Sequence, residues 1–278
     1  MILAGAARID ITPEFGVPLM GYGARVGGAT AIADRIHARA LSLESHLHHP
    51  ILVVSAELCL ISSAQANDLR GRIASKTGVP TDAILVACTH THSGPDTGVA
   101  DRNAGRPEPA HVAAVFEGMV AAGEEAWRNR EPATLAWSET EAHIGRNRRV
   151  ADGQIDSGLE VLRVVALDGR SIAVLFRHSC HGTVRGHDSL EISGDHLRMD
   201  GAIPILDLTI RATKLDPKPT AAGKMGSGNG GGGMGSIESV EELWSIKTTM
   251  SAPMDQAVVL GVSPTGNTTS AFVVQVLK

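Results

Sequence analysis

Two apolar runs separated by a segment with helical spacing constrain the fold most strongly. Residues 51–54 and 83–87 are almost wholly aliphatic, a pattern typical of central strands covered on both faces. Between them, residues 62–76 carry apolar side chains at helical spacing, and Gly78 supplies a stop signal. Strand, helix and strand in this order predict a βαβ-like unit with a parallel stretch of sheet.

The remaining patterns extend this unit to a larger sheet. A second helix is predicted over 109–129, and Asp168-Gly169 predicts a hairpin between two later strands. The predicted strands are 3–11, 36–44, 51–57, 83–89, 133–138, 159–167 and 171–178. We therefore expect an α/β fold with a mixed, partly parallel sheet and flanking helices.

The character of the sequence changes after about residue 210. Glycine dominates residues 223–236, and such a segment buries little surface and loses much backbone entropy on ordering. We expect an α/β domain over 1–210, a Gly-rich linker over 211–236 and a small C-terminal segment over 237–278. Within that segment, strands are predicted at 258–262 and 272–277, and a short helix at 239–247.

Charge and composition exclude several classes of partner. The formal net charge is -5 and aromatic residues make up 3%, with Tyr22 as the single tyrosine, which argues against nucleic-acid binding. No apolar run approaches the roughly 20 residues that span a bilayer. The beginning of the chain lacks the features of a signal peptide, and three cysteines with no paired spacing favour a reducing compartment. We therefore expect a cytoplasmic location by default.

Histidines follow the second apolar run. Residues 88–96 read Cys-Thr-His-Thr-His-Ser-Gly-Pro-Asp, with His90 and His92 two positions apart. On an extended chain this spacing places both imidazoles on one face, and ligands in open α/β sheets gather beyond the carboxyl ends of strands. The pair is a suitable half of a zinc site. The alternative is one packed and one solvated histidine.

A second strand also leads directly into histidines. The apolar run 172–176 precedes His178 and His181. A His-x-His pair with a distant third histidine is the pattern of a three-histidine catalytic zinc site. Asp195 could orient such a histidine or could simply form a turn. The arginines of 145–149 could clamp a carboxylate or an oxyanion, or form a solvated turn.

These stretches, in this order, resemble the N-terminal domain of neutral/alkaline non-lysosomal ceramidases. The resemblance covers roughly residues 3–198, and its most specific part is Thr-His-Thr-His-Ser-Gly-Pro at 89–95. The other matching pieces are 10–13, 16–23, 34–40, 147–148, 181–184 and 192–195.

The resemblance implies a zinc-dependent amidohydrolase of lipid and sphingolipid metabolism that cleaves the N-acyl amide of ceramide-like lipids. By position, His90 and His181 would bind zinc. His92 would lie near the reacting carbonyl and Arg148 at the substrate side of the pocket. Zinc would polarise the amide carbonyl and activate a water molecule, while His92 and Arg148 would stabilise the oxyanion. Relatives in this family are often exported.

The later part of the chain departs from the family. The family completes its zinc site with a glutamate and a tyrosine further along, whereas Tyr22 lies in a different motif. The nearest counterpart of the family's Gly-Asp-Val-Ser-Pro segment is 261–264, which lacks the aspartate. A disruption near residue 198 would explain both departures, and His92, His178, Asp96 or Asp195 could then complete the site. Impaired activity, a zinc esterase or deacylase acting on a small polar substrate, and a non-catalytic remnant are the open alternatives. The oligomeric state is not predicted.

Overall fold

The structure is a computed structural model that describes residues 1–46, 48–99, 107–142, 147 and 149–195, and the backbone of six strands between 206 and 276. The strands preceding residue 195 are β1 (Ile2–Asp10), β2 (Ala31–Ile32), β3 (His37–Ser45), β4 (His48–Ala56), β5 (Ile84–Cys88), β6 (Glu131–Glu141), β7 (Gly158–Ala166), β8 (Ser171–His178) and β9 (Glu191–Ile192). The helices are α1 (Ser63–Thr77) and α2 (Pro109–Arg128), with a 3₁₀ turn at Thr81–Ala83.

Seven of these strands lie in one mixed sheet, in the order β8-β7-β6-β1-β3-β4-β5, and two later strands extend it beyond β8. Neighbouring strands are antiparallel except for β4 and β5, which are parallel and are connected through α1. The predicted α/β class with a mixed, partly parallel sheet is confirmed. The predicted hairpin is also confirmed, since β7 and β8 pair antiparallel around Gly169, whose φ is +90°.

The apolar run in β5 was expected to be central, and this expectation is wrong for the described residues. The strand β5 ends the order of the sheet, and Leu85 is 49% exposed. Ile51 on the neighbouring strand β4 is 52% exposed. An apolar run indicates that a strand can be buried on both faces, but the pairing of the whole sheet decides which faces are covered.

Both helices pack on one face of the sheet. Ser62 caps α1 with a capping box to Gln65, and Gly78 ends it in the left-handed conformation. The helix α2 buries Met119 and Ala122 against β1, β3 and β4. A second apolar cluster around Leu41 and Leu162 occupies a separate part of the sheet. None of the described helices is both long and apolar enough to cross a membrane.

Six further strand backbones follow the main domain: β10 (Leu206–Thr209), β11 (Ala212–Leu215), β12 (Val240–Trp244), β13 (Lys247–Met250), β14 (Val259–Thr265) and β15 (Thr268–Val276). The strand β15 pairs with β8, and β14 pairs with β15. The short helix expected at 239–247 is wrong, because Val240–Trp244 is extended and bonds to β11 in an antiparallel ladder. The Gly-rich stretch 223–236 lies outside the described residues, and the three-part domain division stays a prediction.

Candidate functional site

Three loops meet at the candidate site, and they follow β4, β5 and β8. The first contains Glu57 and Cys59, the second contains His90 and His92, and the third contains His181. Since β4 and β5 are parallel neighbours, their carboxyl ends lie at the same edge of the sheet. The third loop reaches this edge from a distant part of the chain, because the His92 N–H donates to the Gly182 carbonyl at 3.2 Å.

The two histidines of the second loop converge through a turn instead of strand alternation. The strand β5 ends at Cys88, and His90 has a φ of +63°, in the left-handed region. The His90 N–H still donates to the Leu58 carbonyl at 2.9 Å, which ties the turn to the first loop. A positive φ at a residue with a side chain is uncommon and costs about 1–3 kcal/mol, and such residues cluster at functional sites. The expected convergence therefore occurs by a different local geometry.

The side chains of His90, His92 and His181 form one cluster. The Nε2 atom of His92 lies 3.4 Å from Nε2 of His90 and 3.0 Å from Nε2 of His181. The rings of His90 and His181 are stacked, with centroids 5.0 Å apart and an interplanar angle of 17°. The His92 ring stands at 80° and 83° to them.

The tautomer of His90 leaves its Nε2 atom available as a ligand. Its Nδ1 atom lies 2.8 Å from the Cys59 carbonyl oxygen, and only a protonated nitrogen can bond to that oxygen. The neutral ring then carries its lone pair on Nε2. A backbone carbonyl that fixes the orientation of a ligating imidazole is a common feature around metals in proteins.

The spacing of the nitrogens fits zinc. Zn–N bonds of about 2.0–2.1 Å in a tetrahedral sphere place neighbouring nitrogens about 3.3 Å apart, close to the 3.4 and 3.0 Å between the Nε2 atoms. Each ring nitrogen has a single lone pair or a single N–H in the ring plane, so His92 Nε2 cannot form two well-directed hydrogen bonds. A cation that accepts the lone pairs would relieve this crowding.

Cys59 is the residue of this site that the sequence analysis missed. Its Sγ atom lies 3.7 Å from Nδ1 of His90, and Cys59, His90 and His92 have potential ligand atoms within 4.8 Å of one another. Burial, with a smaller contribution from Asp96, raises the pKa of the Cys59 thiol to about 12. The Sγ atom lies on the Nδ1 side of the His90 ring, and this nitrogen is bonded to a carbonyl oxygen. We therefore assign the Nε2 atoms to the side that faces the metal. The position of Cys59 just after β4, parallel to β5, was the signal that could have identified it.

The glycine-rich loop 16–28, between β1 and β2, fits closely against His92. Gly21 has a φ of +115°, and a Cβ atom placed there would lie 2.5 Å from Cγ of His92. The Met20 N–H donates to the Gly94 carbonyl at 3.0 Å. The ring of Tyr22 packs edge-on against the His92 ring, with centroids 4.7 Å apart. This loop therefore fixes both the backbone and the ring of His92.

The segment around β9 closes another side of the site. The Asp34 carboxylate accepts hydrogen bonds from the Ser193 hydroxyl at 2.6 Å and the Gly194 N–H at 2.9 Å. The Thr91 hydroxyl donates to the Ser193 carbonyl at 2.9 Å. Thr91 thus connects this segment to the histidine loop, and Asp34 connects it to the loop between β2 and β3.

Asp195 bonds to the backbone instead of to a histidine ring. Burial raises its pKa to about 6, although backbone N–H groups, including that of Arg185 at 2.8 Å, favour the charged form. Its φ is +58°, which agrees with the turn interpretation. The hypothesis that its carboxylate orients a ligating imidazole has no supporting contact among the described residues.

Other candidates from the sequence bond to the backbone or lie outside the described residues. Nδ1 of His178 lies 3.1 Å from the Gly158 carbonyl, and Asp96 accepts the Gly98 N–H at 2.7 Å. The Tyr22 hydroxyl donates to the Arg185 carbonyl at 2.8 Å. Arg148 lies outside the described residues. All three cysteines are free.

Sheet and site together define an α/β protein whose candidate metal centre is built from loops at the ends of its strands. The chain belongs to the neutral/alkaline non-lysosomal ceramidase family, because the model of that family's N-terminal region matches residues 2–202. The resemblance drawn from the motifs is thereby confirmed.

Solved ceramidases have the same fold. A ceramidase complexed with C2 is 25% identical, with a TM-score of 0.61, and the match covers 69% of this chain and 33% of that one. The neutral ceramidase from Pseudomonas aeruginosa is 24% identical, with a TM-score of 0.62 and coverage of 69% and 34%. The chain thus spans about a third of the length of these solved ceramidases.

Proposed function

We propose that this protein is a zinc-dependent amide hydrolase that cleaves the N-acyl amide of ceramide-like lipids. The observation that carries the proposal is the position of His92 Nε2, 3.4 Å from Nε2 of His90 and 3.0 Å from Nε2 of His181. Membership of the ceramidase family supports the reaction class. The ceramidase solved in complex with C2 supports a lipid amide as the substrate.

In this proposal, His90 and His181 hold zinc through Nε2. Bound there, zinc supplies a Lewis acid that polarises a carbonyl and lowers the pKa of a coordinated water molecule. His92, whose Nε2 lies within 3.4 Å of the other two, is placed to exchange a proton or hydrogen bond with the reacting amide. For Arg148 we propose stabilisation of the negative charge that develops on the carbonyl oxygen.

His92 is the buried member of the three histidines, while His90 and His181 are half-buried. His92 is 8% exposed, and Thr89, Thr91 and Ser93 beside it are buried. Burial keeps solvent water away from His92 and strengthens the electrostatic interactions of its ring. Neutral rings provide the lone pairs that a metal needs.

The experiment combines zinc stoichiometry by elemental analysis with hydrolysis assays on the purified 278-residue chain. The substrates are a short-chain N-acylsphingosine and a small polar N-acyl amide. The variants are His90→Ala and His181→Ala, and the matched control is His46→Ala, because His46 is exposed on the β3–β4 turn. We expect about one zinc per chain in the parent and in His46→Ala, its loss in both site variants, and hydrolysis of the lipid amide.

The outcomes separate the parts of the proposal. Absence of zinc from the parent would overturn the metal assignment. Bound zinc with hydrolysis of only the small amide would replace ceramidase activity with that of a deacylase on polar substrates. Bound zinc without turnover of either substrate would mean that this chain is a non-catalytic zinc protein.

A further inference from the structure

A buried cation, the guanidinium of Arg25, lies beside the histidine cluster. Arg25 is 1% exposed, although arginine is almost never fully buried without a partner. Among the described residues, no carboxylate forms an ion pair with it. Burying a charge in this way is costly, so its retention requires specific compensation.

Backbone carbonyls provide that compensation. One terminal nitrogen of Arg25 donates to the His92 carbonyl at 2.6 Å and to the Met20 carbonyl at 3.3 Å. The other terminal nitrogen donates to the Gly186 carbonyl at 3.3 Å. The guanidinium therefore joins the glycine-rich loop, the His-x-His loop and the loop that follows His181.

The ring of Tyr22 extends the same connection to the His92 side chain. The guanidinium of Arg25 lies over the Tyr22 ring at 4.9 Å from its centroid, within the range of a cation–π contact. The same ring packs against the imidazole of His92 with centroids 4.7 Å apart, and the Tyr22 hydroxyl donates to the Arg185 carbonyl. Arg25 thus acts on His92 by two routes, through its carbonyl and through its ring.

We propose that Arg25 is a positioning residue, which holds His92 at the place where its Nε2 atom faces His90 and His181. The proposal rests on the proposed function for its consequence in catalysis, but the geometry that it explains lies among the chain's own residues. Arg25 is buried beneath the loops, so it acts through His92. Lysine cannot replace the planar guanidinium group, which donates to several carbonyls at once, because an ammonium group is a compact point charge.

The first readout is the His92 imidazole signals in the zinc-free, isotope-labelled chain, assigned by their loss in His92→Ala. The variants are Arg25→Ala and Arg25→Lys. Arg39→Lys is the matched control, because Arg39 is also buried, at 3% exposure, but pairs with Glu57 at 3.1 Å. We expect the His92 signals to move and broaden in Arg25→Ala, to move less in Arg25→Lys, and to keep their positions in Arg39→Lys.

The second readout is zinc affinity, measured by competition with a chromophoric chelator. Arg25 also donates to the Gly186 carbonyl, in the loop that follows the proposed zinc ligand His181. Loss of groups that orient metal ligands costs about 10–100-fold in affinity, and we expect a loss in this range for Arg25→Ala. We expect a smaller loss of zinc affinity for Arg25→Lys. For Arg39→Lys we expect no loss of zinc affinity, even when the melting temperature of this variant is lower. This difference separates positioning from a general contribution to stability.

A folded Arg25→Ala chain with the parent's His92 signals would overturn the proposal. If Arg25→Ala does not fold, Arg25→Lys decides, and parent-like His92 signals with unchanged zinc affinity would overturn it equally. A parent chain that binds no zinc would instead refute the proposed function. The histidine signals of the zinc-free chain would then test Arg25 alone.

Discussion

The Nε2 atoms of His92 and His181 lie 3.0 Å apart, although 89 positions separate these residues in the chain. The contact is reinforced by the main chain, because the His92 N–H donates to the Gly182 carbonyl. Two loops that follow different strands therefore bring their imidazoles together with direct backbone support. This relationship leads to the first of four predictions.

Removal of metal should lower the stability of the parent but not that of the His181→Ala variant. A ligand that binds only the folded state adds about 2.7 kcal/mol at a free concentration of 100 times its Kd. We expect EDTA to lower the melting temperature of the zinc-loaded parent, measured by calorimetry. Equal effects of EDTA on the parent and on His181→Ala would contradict the site.

Gly21→Ala should disrupt the position of His92. A methyl group there would meet Cγ of His92 at 2.5 Å, and the φ of +115° disfavours a side chain. Backbone strain alone costs about 1–3 kcal/mol, so urea denaturation should show at least this loss. The control is Gly23→Ala, since a Cβ at Gly23 would have no atom within 4 Å. Equal stability of the two variants would refute the proposed contact.

Glu57 should make the protein sensitive to acid. Burial raises the pKa of this carboxyl, but Arg39 at 3.1 Å and the His37 N–H at 2.6 Å outweigh burial and hold it below its ordinary value. Because the pKa of Glu57 is lower in the folded state than in the unfolded state, its ionisation stabilises the folded protein. This stabilisation is complete above the unfolded pKa, about 4.3, and it is lost as the pH falls through the folded pKa. Glu57→Gln should flatten this part of the stability–pH curve.

The control for Glu57 is Glu14→Gln, because Glu14 is exposed. Its stability–pH curve should follow that of the parent. Arg39→Ala should cost about 3–5 kcal/mol at neutral pH, since it leaves a buried carboxylate without its partner. Full stability of Arg39→Ala would contradict the role of the pair.

Asp34→Ala should detach the segment that contains Ser193 and Gly194. The carboxylate accepts hydrogen bonds from both residues, and hydrogen bonds to charged groups contribute about 1.5–3 kcal/mol each. We expect faster amide exchange at Gly194 and a loss of stability in urea. Asp68→Ala is the control, because the Asp68 side chain is 61% exposed on α1. Unchanged exchange at Gly194 would rule out this role for Asp34.

The sequence by itself determined the main strands, the helices and the hairpin. The capping signal at Ser62, the left-handed stop at Gly78 and the turn at Gly169 act over a few residues, so local physics suffices to place them. The Thr-His-Thr-His-Ser-Gly-Pro motif was specific enough to identify the ceramidase family. It also marked His90 and His92 as candidate ligands.

Tertiary structure alone decided which atoms meet. Spacing gave no sign that His90 adopts a φ of +63°, that Cys59 lies beside it, or that the charge of Arg25 is buried against the His92 carbonyl. The apolar run in β5 likewise gave no indication that this strand is the last one in the strand order of the sheet. These features depend on contacts between segments remote in the chain, and the free energy of such contacts is absent from any local pattern.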